Sequence, residues 1–181
     1  SSYGTSIQSD VRGTLISLSP FVEMKWSTGS YNSPAIKTQM VGKYNFYNYL
    51  AAITFGVEFG VENSAISQAI AEYAPTNNRS QVKKTENNTL ILDCYNANPT
   101  SMQSALESFA LNEQDAKVFI LGDMKELGED SAEEHKKIIA LIEQLQLKGF
   151  VVGADFSSIN SSAILSKFQD VKALSEYLQE C

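Results

Sequence analysis

"LILDCYNANPTSMQSALESFA", residues 90–110, leaves a short apolar strand and enters an amphipathic helix through a corner of small polar residues. Asn98 stands where a helix N-cap belongs, and Pro99 follows at the first helical position, where its missing N–H costs nothing. Asp93, Tyr95, Asn96 and Asn98 all fall at this one corner. The same order then repeats. "KVFILG" leads to "SAEEHKKIIALIEQLQ", and "GFVVGA" is followed later by "VKALSEYLQE". Near-continuous apolar strands alternating with helices predict an α/β fold with a parallel sheet covered on both faces. In such a sheet ligands lie outside the carboxyl ends of the strands, which singles out two corners, "DCYNANP" and "LGDMKELG".

Upstream the pattern is different. In "FVEMKW" the residues Val22, Met24 and Trp26 alternate with Glu23 and Lys25, the period of a half-buried strand, and "GTLISL" and "PAIKTQM" read as strands beside it. "STGSYNS" is the turn between. From Tyr44 the period changes: Phe46, Tyr49, Leu50, Ile53 and Val57 mark one face of a helix. A second helix is predicted over 63–73 with Ala65, Ile66, Ala69 and Ile70 in step. "APTNNRSQ" brings Pro75 and paired asparagines, which end helices and make turns, so a domain boundary is placed between residues 77 and 78.

Composition narrows the function classes. The chain has 181 residues, 43% hydrophobic, with a formal net charge of -7. Its 14 Lys and Arg are scattered, so no basic stripe suits a phosphate backbone and nucleic acid is not expected as a partner. No apolar run approaches the roughly 18–20 residues that span a bilayer, and the first residues lack a signal-peptide pattern, so membrane insertion is not expected and a cytoplasmic location is. With only Cys94 and Cys181, a disulfide framework is not expected. The chain lacks an initiator Met and opens in mid-pattern, as an excised piece of a longer protein would.

At the first corner, Asp93 can accept from hydroxyls or an ammonium, and Asn96 and Asn98 offer amides that both donate and accept. The helix start adds free N–H groups that suit an anion or carboxylate. Simple local roles account for the same residues: Asn98 as a cap, Asp93 paired nearby, Asn96 in a left-handed turn. No GxGxxG occurs, so an ordinary dinucleotide pocket is not supported. At the second corner Gly122 and Gly128 bracket Asp123, Met124, Lys125, Glu126 and Leu127, a charged loop able to hold a polar ligand. Ser131 and Glu134 have the spacing of a capping box. His135 shares a helix side with Ile138 and Ile142 and is expected to pack at the edge of the core. No zinc spacing occurs, and a single histidine supports no Ser-His-Asp arrangement.

"VGKYNFYNYLAAITFGVEFGV", "NNRSQ", "LDCYNANPTSM" and "FILGDMKELGEDSAEEH" occur in an order and at separations that resemble the Mur ligase family. The paired phrases "YNANP" and "LGDMKELG" are similar to those of members that add D-alanyl-D-alanine to UDP-N-acetylmuramoyl-tripeptide. The resemblance implies that residues 1–77 belong to the rear of a central ATP-binding domain. Residues 78–181 would be most of a Rossmann-like carboxyl-terminal domain. It implies ATP-dependent amide formation through an acyl phosphate, with ATP and Mg required and the missing uridine-binding and phosphate-loop segments supplied by the same protein. The phosphate loop GxxxxGK[ST] does not occur in these residues, so this segment alone is expected to be inactive. Carried onto this chain, Asn45 and Asn48 match the family's adenine-side asparagines, Arg79 the arginine that meets phosphates, and Asp93 the aspartate that meets ribose. Tyr44 stands where many Mur ligases have His, with a ring able to stack on adenine. Asn96, Asn98, Asp123 and Glu126 become the residues for the dipeptide side. On this reading the first corner is polar because it closes over ribose on one side and the incoming dipeptide on the other. No residue is assigned a catalytic role and none a metal. Folylpolyglutamate-type or cyanophycin-type ligases share the Asn, Arg and Asp skeleton, and a non-catalytic module of this fold that binds a small ligand also remains open.

Overall fold

A computed structural model describes residues 1–112, 114 and 116–180. Two compact units divide them: one comprises Ser1–Tyr95 with a short piece at Leu111, the other Asn96–Ala110 and the residues from Gln114 onward.

The first unit is a small mixed sheet under two helices. Its elements are β1 (Tyr3–Gly4), β2 (Val11–Ser17), β3 (Glu23–Thr28), β4 (Tyr31–Asn32), β5 (Ile36–Lys37), α1 (Lys43–Glu58) and α2 (Asn63–Glu72). The strand order is β1-β2-β3-β4, with β5 also paired to β3. Only the β1–β2 pair is parallel. The period-2 reading of "FVEMKW" holds: Val22, Met24 and Trp26 are buried, and Lys25 is exposed. The turn after Trp26 is tighter than the sequence suggested, because Thr28 pairs with Tyr31 and closes a hairpin around Gly29. α1 buries Phe46, Tyr49, Leu50 and Ile53 against this sheet, with Val57 packed at its margin. The approach is close at Gly13, where a Cβ would stand 2.6 Å from Leu50 and 2.8 Å from Phe46.

α2 departs from the expected phase. Ala65 and Ala69 are exposed, and Ser67 joins Ile66 and Ile70 on the buried face. The cause is Trp26. Its indole N–H is buried and donates to Ser67 Oγ at 3.1 Å, and the Tyr31 hydroxyl lies 3.2 Å from the same oxygen. A buried indole N–H needs an acceptor, so a polar residue holds a position that periodicity would assign to an apolar one.

"TLIL" forms β7 (Thr89–Leu92), paired antiparallel with β6 (Gln81–Lys84) in a two-stranded sheet of the first unit. The expectation that it joins the parallel sheet is corrected. β6 is polar and carried no strand signal, yet it precedes β7 by a four-residue turn. That turn closes through Thr85 N–H to Asn88 O at 2.8 Å and Asn88 N–H to Thr85 Oγ1 at 3.0 Å. Closing so short a loop costs far less entropy than a crossover. The contact boundary therefore follows this hairpin, whereas the sequence break at 77/78 precedes it.

The second unit contains the parallel sheet. α3 (Pro99–Ala110) is followed by β8 (Phe119–Gly122), a 3₁₀ turn at Gly128–Asp130, α4 (Ser131–Gln144), β9 (Gly149–Val152), α5 (Ala154–Ser157), β10 (Ile164–Phe168) and α6 (Val171–Gln179). The order is β10-β9-β8, parallel throughout. Val151 faces a core with Ile138, Ile142, Phe119 and Phe156. Phe150, one residue away, faces the other side, with ring centroids 6.0 Å from Phe168 and 5.7 Å from Tyr177 of α6. The sheet is thus covered on both faces, as alternating apolar strands and helices predict. No described helix is long and apolar enough to cross a membrane.

Candidate functional site

The first residues of α1, the segment 78–80 and the end of β7 converge within the first unit. Two residues of the segment have positive φ, Asn78 at 56° and Ser80 at 51°. The backbone is fastened there by Cys94 N–H to Asn78 O at 2.9 Å. This turn directs Ser80 inward, to 1% exposure, and leaves Arg79 exposed.

Asp93 is held at both oxygens. Oδ1 accepts Ser80 N–H at 3.1 Å, and Oδ2 accepts the Tyr44 hydroxyl at 2.7 Å. Since Tyr44 gives its single proton to Asp93, the contact of 2.5 Å between Ser80 Oγ and Tyr44 Oη has Ser80 as donor. Ser80 Oγ in turn accepts from Asn45 Nδ2 at 2.9 Å, and Asn45 Oδ1 accepts from Asn48 Nδ2 at 3.0 Å. The second Asn45 proton goes to Val41 O at 2.7 Å. Every donor points one way, from Asn48 through Asn45, Ser80 and Tyr44 to Asp93. Burial raises the pKa of the Tyr44 hydroxyl; the Ser80 hydrogen bond opposes the rise, and the bond to Asp93 and its charge add to it. The phenol therefore stays a donor.

Tyr44, Asn45, Asn48 and Asp93 are thus brought together, and Arg79 stands at their edge. Its Cζ lies 3.7 Å over the ring of Tyr95. Asn45 does not cap α1, whose N-cap is Gly42 with no side-chain hydrogen bond. Two members of the site had little sequence signal. Ser80 is one serine in a polar linker, and Tyr95 gains meaning only from its place opposite Arg79.

The residues of the second unit are arranged differently. Asn98 caps α3: its Oδ1 accepts Ser101 N–H at 2.9 Å, and Ser101 Oγ accepts Asn98 N–H at 3.2 Å. Asn96 Oδ1 accepts Ala97 N–H at 2.9 Å. Both asparagines are exposed, and their amide nitrogens take no part in these bonds. Asn98→Ala is expected to destabilise the second unit by about 1 kcal/mol, the usual loss on removing an N-cap. A urea midpoint unchanged from the parent chain would remove the cap from the account.

Glu126 is exposed with φ at 64°, on a loop whose neighbour Met124 is 1% exposed. Asp123 is almost fully covered. Its Oδ2 accepts Asp155 N–H at 3.1 Å and its Oδ1 accepts Phe156 N–H at 3.0 Å, which seats the first turn of α5. Gly153 makes this approach possible, since a Cβ there would stand 2.2 Å from Asp123 Oδ2 and its φ is 116°. His135 is fully buried. Its Nε2 accepts Met124 N–H at 3.1 Å, and its Nδ1 lies 2.7 Å from Ser131 O, to which it donates. The expected capping box is corrected: the N-cap of α4 is Asp130, and Ser131 lies inside the helix with its hydroxyl 3.3 Å from both His135 Nδ1 and Asp155 Oδ2. The 3₁₀ turn before Ser131 moves the helix start back by one residue. Asp123, His135 and Asp155 bring ligand-type atoms within 4.8 Å of one another. Both ring nitrogens and both Asp123 oxygens are nevertheless engaged by backbone groups, so the trio is a structural lock. Cys94 is a free, exposed thiol, and Cys181 lies outside the described residues.

Residues 78–180 match a family model described as "Mur ligase, glutamate ligase domain". A UDP-N-acetylmuramoyl-tripeptide--D-alanyl-D-alanine ligase of Treponema pallidum is 35% identical over 127 residues, covering 70% of this chain and 28% of that one. A ligase of the same name from Mycobacterium tuberculosis is 28% identical over 169 residues, covering 87% and 33%. Among solved structures, the UDP-N-acetylmuramoylalanyl-D-glutamyl-2,6-diaminopimelate--D-alanyl-D-alanyl ligase of Acinetobacter baumannii superposes with a TM-score of 0.83 at 26% identity. That match covers 98% of this chain and 39% of that one. The chain spans about a third of the curated relatives it matches.

Proposed function

Because the chain belongs to the Mur ligase family, we propose that it is part of an ATP-dependent ligase that joins D-alanyl-D-alanine to UDP-N-acetylmuramoyl-tripeptide in peptidoglycan precursor synthesis. Residues 1–77 are read as the rear of its ATP-binding domain and 78–181 as its Rossmann-like ligase domain. The observation that carries the nucleotide reading is the hydrogen-bonded chain ending on the exposed Asp93 carboxylate, with the Arg79 guanidinium over Tyr95 beside it. The relatives' names supply the acceptor and donor.

In the proposed reaction the ATP γ-phosphoryl group passes to the terminal carboxylate oxygen of the tripeptide and ADP departs. The dipeptide amine then attacks the acyl carbon, loses a proton, and the C–O bond to phosphate breaks. Such chemistry needs placement and charge neutralisation rather than a covalent nucleophile. Asp93 would accept from the ribose hydroxyls, and Arg79 would meet phosphate oxygens. Asn48, exposed at the end of the chain of donors, would meet the adenine edge, with Asn45 acting through it. On the other unit, the free amides of Asn96 and Asn98 and the exposed Glu126 suit a zwitterionic dipeptide, with Asp123 holding the loop that carries Glu126. Magnesium does not fit the Asp123, His135 and Asp155 group, because both ring nitrogens are taken by backbone groups and the two Asp123 oxygens seat the first turn of α5.

The test is phosphate release by a ligase carrying these residues, supplied with ATP, the UDP-tripeptide and D-alanyl-D-alanine. Release should require both acceptor and donor. Asp93→Ala should lower kcat/KM for ATP about 10- to 100-fold, from the loss of charge-assisted bonds of about 1.5–3 kcal/mol. Release that accepts L-glutamate in place of the dipeptide would move the assignment to another branch of the family.

A further inference from the structure

A carboxylate has two oxygens with two acceptor directions each. At Asp93 one direction on each oxygen is already filled from the protein side, by the Tyr44 O–H at 2.7 Å and the Ser80 N–H at 3.1 Å. One direction on each oxygen is left, on the solvent side of an exposed residue. Two parallel acceptors at carboxylate spacing match two neighbouring hydroxyls, a vicinal diol. The Tyr44 proton is not available to a base: it goes to Asp93, and the oxygen also accepts from Ser80.

We propose that Tyr44 and Ser80 are positioning residues that orient the Asp93 carboxylate toward the 2′,3′-diol of a nucleotide, so that recognition of the sugar, and not of the base, depends on the Tyr44 hydroxyl. This rests on the nucleotide reading of Asp93 and goes beyond it in two respects. It replaces the expected stacking of Tyr44 on adenine, and it gives Ser80 a role. Donor direction supports it. Asp93 Oδ2 can only accept, so it takes the Tyr44 proton, and Ser80 Oγ, which accepts from the 1% exposed Asn45, gives its own proton to Tyr44. Were the Tyr44 hydroxyl removed, Oδ2 would keep its charge but lose the bond that sets the rotation of the carboxylate, and the diol would meet acceptors turned out of line. A fully satisfied polar network specifies one orientation, and a half-satisfied one does not.

The experiment measures kcat/KM for ATP, 2′-deoxy-ATP, 3′-deoxy-ATP and GTP in a ligase carrying these residues, for the parent, Tyr44→Phe, Ser80→Ala and Asp93→Ala. Phe keeps the ring and its packing, so folding is preserved while the hydroxyl is lost. The parent should prefer ATP over each deoxy analogue. Tyr44→Phe should reduce that preference by about tenfold, the loss of one charge-assisted hydrogen bond, and leave the ATP-to-GTP ratio within about twofold. Ser80→Ala should reduce the sugar preference less, since its N–H still reaches Oδ1. If Asp93→Ala abolishes the sugar preference while Tyr44→Phe retains it, the positioning role is wrong and the ribose reading stands. A Tyr44→Phe enzyme altered in its ATP-to-GTP ratio would return Tyr44 to the base. An Asp93→Ala enzyme with the parent's sugar preference would overturn both readings together.

Discussion

Arg79→Ala, in a ligase carrying these residues, is expected to lower kcat/KM for ATP by on the order of 10³-fold, the lower end of what a single arginine contributes to charge on a transferring phosphoryl group. Arg79→Lys should recover only a small part of this, because an ammonium cannot reproduce a planar fork of donors against phosphate oxygens. The geometry gives the physical ground for the expected sensitivity. Asn78 and Ser80 on either side both have positive φ, and Asp93 Oδ1 holds Ser80 N–H, so the backbone of Arg79 has little freedom. Its side chain rests with Cζ 3.7 Å over Tyr95. An aromatic face attracts a cation without neutralising it, whereas a carboxylate in the same place would compete with phosphate. The loss should appear in kcat as well as KM if Arg79 meets the phosphoryl group in flight, and in KM alone if it only binds ATP. Tyr95→Ala should give a smaller loss than Arg79→Ala, with partial recovery in Tyr95→Phe. An Arg79→Ala enzyme of parental activity would return the residue to a structural place in the turn.

Strong periodicity was legible in this chain, and hydrogen bonds between distant residues were not. α1 and α4 announced themselves because apolar residues recur at helical spacing on their buried faces, Phe46, Leu50 and Ile53 in one and Ile138, Ile139 and Ile142 in the other, and β3 because Met24 and Trp26 alternate with Lys25. α2 was read one step out of phase because Ser67 answers a donor on Trp26, 41 positions away. β6 was missed because Lys83 and Lys84 look like linker, and β10 because Ser166 and Lys167 interrupt its apolar residues. The helix cap at Asn98 could be read because capping is local, three residues from acceptor to donor. The site required both kinds of information. Asn45, Asn48, Arg79 and Asp93 stand out by type and order. The join between them runs through Ser80, which no window on the sequence would select, since its partners are 35 and 36 positions upstream.

The same distinction sets the last expectation, which concerns His135. His135→Ala should destabilise the second unit by about 3–5 kcal/mol, as for other large buried side chains reduced to alanine. Three losses combine. The ring leaves a cavity in a fully buried position beside Phe156, whose centroid lies 4.4 Å away. Met124 N–H, buried and bonded only 3.1 Å from Nε2, loses its acceptor, and an unsatisfied buried donor costs about 1–3 kcal/mol. The link from α4 to the loop beginning at Asp123 is also broken, and Asp123 in turn seats α5 through two backbone N–H groups. At about 2–4 °C per kcal/mol for a chain of this size, Tm should fall by roughly 6 to 20 °C. His135→Gln, which keeps an acceptor but not the ring, should fall between the alanine variant and the parent. Far-UV circular dichroism follows the helices of both units together, and amide exchange at Met124, Asp155 and Phe156 shows whether the opening begins at this lock. Trp26 is the only tryptophan and lies in the first unit, so its fluorescence monitors the other core separately. A Tm within about 3 °C of the parent, less than about 0.8–1.5 kcal/mol at the same conversion, would show that Met124 N–H finds another acceptor and that the ring is dispensable. Accelerated exchange confined to those three amides, together with the larger fall in Tm, would identify His135 as the residue that holds the charged loop in place.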